Sequence, residues 1–222
     1  MKMDLKNKTV AIVGGTGNLG AAIAGRLGRA GVRVVIGSRV AQAAQSVAAK
    51  LGFGIVGMAN AEAAAAGDIV IVTVPFAAQE VTLRDIAPHV LGKVVCDTTV
   101  PLVPPKVMRV QLPSEGSAAV CAQKILGGGV TVVSGFHNVA AHKLAMDGHV
   151  ECDVLVFGDD KAGRAQIVAI AEAAGLRGIH AGALVNSAAA EAMTSILIFL
   201  NKTYKVDGAG IRITGKLISP ED

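Results

Sequence analysis

The sequence predicts an α/β protein: a doubly wound, mostly parallel sheet with a C-terminal helical extension. Two features predict it. Short β-branched apolar runs alternate with alanine-rich stretches of helical length, and a glycine-rich loop follows the first run. Near-continuous apolar runs mark strands covered on both faces. Strand-helix-strand repetition with right-handed crossovers then generates a parallel sheet.

The elements follow in order. Residues 10–13, 32–36, 69–74 and 93–97 read as the first strands, and residues 19–30, 41–51, 59–66 and 79–87 as helices. Gly31, Gly52 and Gly67 stand where helix C-caps are wanted. Pro101, Pro104, Pro105 and Pro113 then mark a long loop, a feature that in compact domains is usually functional. A helix over 117–126, a strand over 131–134 and a loop over 135–141 come next. A strand at 154–157, the turn Gly158-Asp159-Asp160, a helix and a strand at 178–180 form a further strand-helix-strand unit. Residues 183–204 read as one long apolar helix and 211–213 as a short strand. The expected division is an α/β domain over 1–182 and a helix and tail over 183–222.

Composition removes several function classes. With 52% hydrophobic and 17% charged residues over 222 positions, the chain has ample core material and is not intrinsically disordered. The net charge of +4 is scattered and aromatics are 3%, so no basic, aromatic-laced stripe points to nucleic acid. A mean hydropathy of +0.53 raises the question of a membrane. Yet no run of about 18 apolar residues is free of a charge, Gly or Pro. The start, Lys2, Lys6 and Lys8 before residues 10–13, runs into Gly-Gly-Thr-Gly-Asn and not into a signal-peptide core. The expectation is a soluble, cytoplasmic chain. Cys96, Cys121 and Cys152 share no metal-ligand spacing, so free core thiols and no metal site are expected.

Gly15-Thr16-Gly17-Asn18-Leu19-Gly20 fits G-x-G-x-x-G between a buried strand and an amphipathic helix, the setting a dinucleotide loop requires. The first glycine makes the turn, the second admits a pyrophosphate, and Gly20 lets helix and strand pack closely. Free N–H groups and the dipole at the helix start favour the anion. At the end of the second strand, where NAD sites usually carry a carboxylate, stands Gly37-Ser38-Arg39. A hydroxyl and a guanidinium there can bind a 2′-phosphate, which points to NADP; a solvated surface arginine is the plain alternative.

Thr73-Val74-Pro75 and Asp97-Thr98-Thr99-Val100-Pro101-Leu102 end strands at the carboxyl edge, where ligands sit in such sheets. Gly135-Phe136-His137-Asn138 follows the strand at 131–134 at the same edge. Position favours His137 over His89, His142, His149 and His180, although a lone histidine is commonly only packed. No Ser-His-Asp order, HExxH or Walker loop supports a hydrolase or kinase.

These residues, together with Gly158-Asp159-Asp160 and Ala181-Gly182-Ala183-Leu184-Val185-Asn186-Ser187, resemble NADPH-dependent coenzyme F420 reductases, in order from Thr9 to Gly215. The resemblance implies a Rossmann-type domain closed by a C-terminal helical piece, a homodimer, and hydride transfer between NADP(H) and the deazaflavin ring of F420. Carried over by position, Thr16, Gly17, Asn18 and Leu19 hold the pyrophosphate and Ser38 and Arg39 the 2′-phosphate. Val74 and Pro75 lie beside the nicotinamide, while His137, Val139 and Ala141 line the place where the two rings stack. The chain departs from the family pattern at Val40–Ala43, Phe76–Ala78 and Asn138–Ala140. Two other readings remain: an NADP-dependent reductase of another ring or imine substrate, such as a pterin or flavin, and a non-enzymatic NADP-binding sensor.

Overall fold

The computed structural model describes Leu5 and residues 7–218. In chain order the elements are β1 (Thr9–Val13), α1 (Asn18–Arg29), β2 (Arg33–Ser38), α2 (Ala41–Leu51), β3 (Val56–Ala59), α3 (Asn60–Ala66), β4 (Ile69–Val72), α4 (Phe76–Ile86), β5 (Val94–Asp97), α5 (Ala118–Leu126), β6 (Thr131–Ser134), α6 (Ala141–Ala145), β7 (Asp153–Gly158), α7 (Lys161–Ala173), β8 (Arg177–His180) and α8 (Ser187–Tyr204). The strands form one sheet in the order β3-β2-β1-β4-β5-β6-β7-β8. The β6–β7 pairing is antiparallel and the others are parallel.

Period-2 alternation along the strands feeds two cores, one on each face. Val10 and Ile12 of β1 point to a cluster with Ile23, Leu27, Ile36 and Ile170, under α1 and α7. Ala11 and Val13 point the other way, to Val70, Val72, Leu83 and Ile86, under α4. The order reverses between β1, which leads outward to β2 and β3, and β4, which leads to β5. That switch point lies at the carboxyl ends of β1 and β4, where open α/β sheets bind ligands.

Several boundaries differ from the sequence reading, each for a local reason. Strand β3 was not predicted. It is an edge strand, and Gly57 interrupts its apolar run because a Cβ there would lie 2.2 Å from the backbone carbon of Ala44 in α2. Gly67 is not a left-handed cap. Its φ is −83°, and it lacks a side chain because a Cβ would sit 2.5 Å from the Ala11 methyl. The strand at 69–74 ends at Val72, and α4 begins at Phe76, directly after Pro75. The loop at 135–141 runs into the short helix α6, whose carbonyl at Leu144 accepts from Arg26 Nε at 2.8 Å. Residues 184–186 form a 3-10 turn ahead of α8. The tail at 211–213 is not a strand. It lies against β7 through separate bonds, Asp153 N–H to Ile211 O at 2.7 Å and Ile213 N–H to Asp153 Oδ2 at 2.6 Å.

By length and composition the helical segment Leu184–Tyr204 could cross a membrane, with a mean hydropathy of 1.3 and 33% of it buried. Its one acid, Glu191, is buried against α5, which marks it as a helix of the folded domain.

Candidate functional site

The glycine loop runs from the end of β1 into α1. Gly14 takes a φ of +73°, and Gly15 N–H donates to Gly37 O at 2.9 Å, tying the loop to β2. Gly15 and Gly20 are glycines for internal reasons. A Cβ on Gly15 would stand 2.7 Å from Ile12 O, and one on Gly20 2.5 Å from Thr73 Oγ1. Gly17 is different: it is exposed, and the atom closest to a Cβ there would be Gly14 O at 3.4 Å. Nothing inside the protein needs a glycine at that position. The N-terminus of α1, which begins at Asn18, carries no side-chain cap, so its first N–H groups are free for an anion.

Around this loop the structure gathers most of the expected site residues. Thr73, directly after β4, donates from both its N–H and its hydroxyl to Val13 O, at 2.9 and 3.0 Å, fixing the β1 and β4 ends together. The Val74 side chain abuts Gly14, while Pro75 is exposed at the start of α4. Ser38 ends β2 half-buried, with Arg39 exposed beside it. Leu19 packs against the core under α1. Asn18 and Ala141 open onto one cavity of about 700 Å³ that also touches Arg26, Lys50 and His142. This cavity follows the α1–α6 groove, and neither Ser38 nor Thr73 lines it.

His137 and Val139 lie in the loop between β6 and α6, both buried. Phe136 before them is fully buried with a φ of +64°, a strained conformation for a bulky residue that the packing enforces. The His137 ring lies 6.4 Å from that of Phe157. Burial pulls its imidazole down to about 4, so it is neutral at physiological pH. Among the described residues, two buried side-chain nitrogens lack a partner, His137 Nε2 and Arg164 Nε. An orphaned buried ring nitrogen costs free energy unless something meets it, which fits a bound group. In the same described set no three His, Cys, Asp or Glu side chains converge as a metal site.

Sequence reasoning missed the groups that hold this edge in place. Asn60, buried at the start of α3, accepts the Gly14 N–H on its Oδ1 at 3.2 Å. An asparagine at a helix start reads as a cap, so its 46-residue reach back to the loop was invisible. Asn60→Ala is expected to weaken NADP(H) binding roughly three- to tenfold, the worth of one buried hydrogen bond. Calorimetric titration checks this, and an unchanged Kd removes Asn60 from the site. The buried carboxylates Asp97 and Glu191 were likewise not linked to each other.

Residues 9–101 match the family described as NADP oxidoreductase, coenzyme F420-dependent. An F420-dependent NADP reductase of Methanocaldococcus jannaschii is 36% identical over 92% of this chain and 97% of its own. One from Methanothermobacter thermautotrophicus is 38% identical over 92% and 94%. The chain belongs to the F420-dependent NADP reductase family. Among solved structures, a candidate F420-dependent NADP reductase from Arthrobacter sp. FB24 superposes with a TM-score of 0.80 at 21% identity, covering 94% of this chain and all (100%) of that one. An imine reductase from Bacillus cereus reaches 0.62 at 18% identity, covering 90% of this chain and 61% of its own. These two likenesses concern the fold. The F420-dependent reductase relatives cover 92% of this chain.

Proposed function

We propose that the chain transfers a hydride between NADP(H) and the deazaflavin coenzyme F420. The observation that carries this is the match to relatives named F420-dependent NADP reductase, over 92% of this chain and 94–97% of theirs. Gly15, Thr16, Gly17, Asn18, Leu19 and Gly20 would hold the pyrophosphate, and Ser38 and Arg39 the 2′-phosphate. Thr73, Val74 and Pro75 would flank the nicotinamide, with Val139 and Ala141 beside the paired rings.

Bound there, NADPH supplies the hydride and the oxidised deazaflavin takes it up with a proton. The chain's own contribution is orientation. Small apolar side chains at Val74, Val139 and Ala141 let two flat rings approach, and holding reactants in register is worth several kcal/mol. His137 offers a neutral ring nitrogen and no charge. His137→Ala is therefore expected to lower kcat by about ten- to a thousandfold. A loss above about four orders of magnitude would instead mean obligatory proton transfer by this ring.

The same reading divides the chain at residue 182, the nucleotide on the 1–182 side and α8 closing the second-substrate side; residues 219–222 lie outside the described residues. It places the protein in the cytoplasm, with no membrane or nucleic-acid partner. It also makes the protein a homodimer through α8. Ile196 and Phe199 on that helix are 44% and 48% exposed, and Val110 and Leu112 of the proline loop are also exposed. Exposed apolar side chains on α8 and on the loop it meets, where Ser195 Oγ donates to Arg109 O at 3.3 Å, suit an interface.

The direct test is anaerobic. Purified protein, NADPH and oxidised F420 are mixed while the deazaflavin absorbance is followed, with NADH in parallel. Rapid bleaching with NADPH and little with NADH is the expected result. No bleaching with NADPH tightly bound would move the second substrate to a pterin or flavin. No oxidation with any acceptor would leave an NADP-binding sensor.

A further inference from the structure

Helix α8 is apolar over most of its length, yet it buries a carboxylate. Glu191 is 1% exposed, and its oxygens accept from the backbone N–H groups of Ala118 at 2.6 Å and Ala119 at 3.2 Å, the first two residues of α5. Ser117 Oγ takes the next donor, Val120 N–H, at 3.1 Å. The Ser187 hydroxyl donates to Glu191 Oε1 at 2.9 Å and itself receives the Ser134 hydroxyl, at the end of β6, at 2.7 Å. One carboxylate thus joins α8, α5 and the strand that leads into the His137 loop.

The neighbouring turn of α8 grips that loop. Asn138 Nδ2 donates to Ala190 O at 2.9 Å, and Thr194 Oγ1 donates to His137 O at 2.9 Å. Ala190 and Thr194 flank Glu191 in sequence, so the depth and rotation at which Glu191 seats α8 fix where Ala190 O and Thr194 Oγ1 stand. A second arm reaches the nicotinamide side. Ala118 O accepts from Gln79 Nε2 at 3.0 Å, and the same nitrogen donates to Asp97 Oδ2 at 2.6 Å. Thr99 Oγ1 donates to Asp97 Oδ1 at 2.7 Å, and Thr98 Oγ1 to Val72 O at 2.9 Å, just ahead of Val74.

We propose that Glu191 is a positioning residue for hydride transfer: its carboxylate seats α8 on α5 and β6, and α8 in turn holds the His137–Val139 loop in its reactive position. The proposal rests on the reading that this loop lines the ring-stacking site. It separates turnover from nucleotide binding, because the glycine loop is held by other groups, Asn60, Thr73 and Gly37.

Only the ionised carboxylate accepts from both α5 N–H groups and from Ser187 with full strength. Burial, with Asp97 adding to it, raises Glu191 to about 7, and burial raises Asp97 to about 6. The other titratable groups facing it are Cys121 on α5, raised to about 11, and, beyond that thiol, Glu115 and Lys124; on the loop side His137 stays neutral. As pH falls through about 7 the clamp loses an acceptor and turnover falls. Fold stability runs the other way. A carboxyl raised in the folded state contributes stability that is full below its unfolded value, 4.5, and is lost as pH rises through about 7. A purely structural cap would show the same stability trend and leave turnover unchanged across this range.

The test compares wild type with Glu191→Gln, whose amide nitrogen faces two N–H donors. The expected result is an NADPH Kd within about twofold of wild type by calorimetry, with kcat lowered roughly ten- to a hundredfold by loss of register. The acid limb near pH 7 should vanish from the variant's kcat profile, and amide hydrogen exchange should quicken at 118–119 and also at 137–139. Faster exchange at 118–119 alone, with kcat and its pH profile unchanged, overturns the proposal and leaves a helix cap. Should Glu191→Gln not fold, Thr194→Val keeps the carboxylate and removes the hydroxyl on His137 O. It should lower kcat while retaining the acid limb, and no change in kcat or in exchange at 137–139 overturns the proposal. Absence of F420 reduction by wild type defeats the substrate reading, whereas exchange at 137–139 needs no substrate and still decides the clamp.

Discussion

Gly17→Ala is expected to raise the Kd for NADP(H) about a hundredfold, some 2.7 kcal/mol, while leaving the fold intact. The backbone at Gly17 has φ −73° and ψ 163°, which any L-residue adopts, and a Cβ there meets Gly14 O at an ordinary 3.4 Å. The folded protein therefore has no reason to exclude alanine. A pyrophosphate laid on the free N–H groups of α1 does, because the second glycine of such loops is where backbone and phosphate come closest. Thermal melting without ligand should match wild type within about a degree. Gly20→Ala provides the contrast. Its Cβ would stand 2.5 Å from Thr73 Oγ1 and 2.8 Å from Gly15 Cα, so it should lower both stability and affinity. Unchanged NADP(H) affinity in Gly17→Ala would mean that the loop is a structural turn.

The fold was legible wherever a strand is covered on both faces. The apolar stretches of β1, β4, β5 and β6, at 10–13, 69–72, 94–96 and 132–133, are claimed by both cores, and the C-terminal ends of those strands lead into the candidate site. Legibility failed where a contact, not a pattern, decides. In β3, Gly57 serves α2 and weakens the strand's own signal. Five residues, Ala141–Ala145, are too few to show a helical period; α6 is held by Arg26, which is 118 residues away from Leu144 in sequence.

The site divides the same way. Its proposed nucleotide half rests on contiguous motifs, G-x-G-x-x-G and the end of β2, whose chemistry depends on local backbone. The proposed second half rests on single residues such as His137, and the segment that carries it is joined to α8 across 53 to 57 positions by the hydrogen bonds Ser134–Ser187 and His137–Thr194. No spacing in one sequence reports such pairings. The orphaned His137 Nε2 is also a tertiary fact, since it follows from burial against Phe157 and not from any neighbour in the chain.

Arg39→Ala is expected to raise KM for NADPH ten- to a hundredfold and to leave KM for NADH unchanged. The 2′-phosphate is the one difference between the cofactors, and a charge-assisted hydrogen bond to it is worth about 1.5–3 kcal/mol. Two features of the structure set the size of the effect. Helix α2 begins at Ala41 with Val40 as its cap and no side-chain cap bond, so its first N–H groups add a backbone contribution that survives the mutation. Against that, Arg39 is followed by Val40, Ala41, Gln42 and Ala43, so no second cation in this turn replaces the lost one. The Ser38 hydroxyl accepts from Val40 N–H at 3.4 Å, a weak bond that leaves it free to turn to a phosphate. Because Arg39 is exposed, its contribution is screened by salt, and the NADPH preference of wild type should shrink as ionic strength rises past about 0.15 M. Pairing Ser38→Asp with Arg39→Ala should go further and turn the preference toward NADH, since a carboxylate there repels the phosphate and accepts the ribose hydroxyl. If Arg39→Ala leaves the NADPH-to-NADH ratio of kcat/KM unchanged at low salt, the guanidinium is a solvated surface group and selectivity resides in the α2 N-terminus.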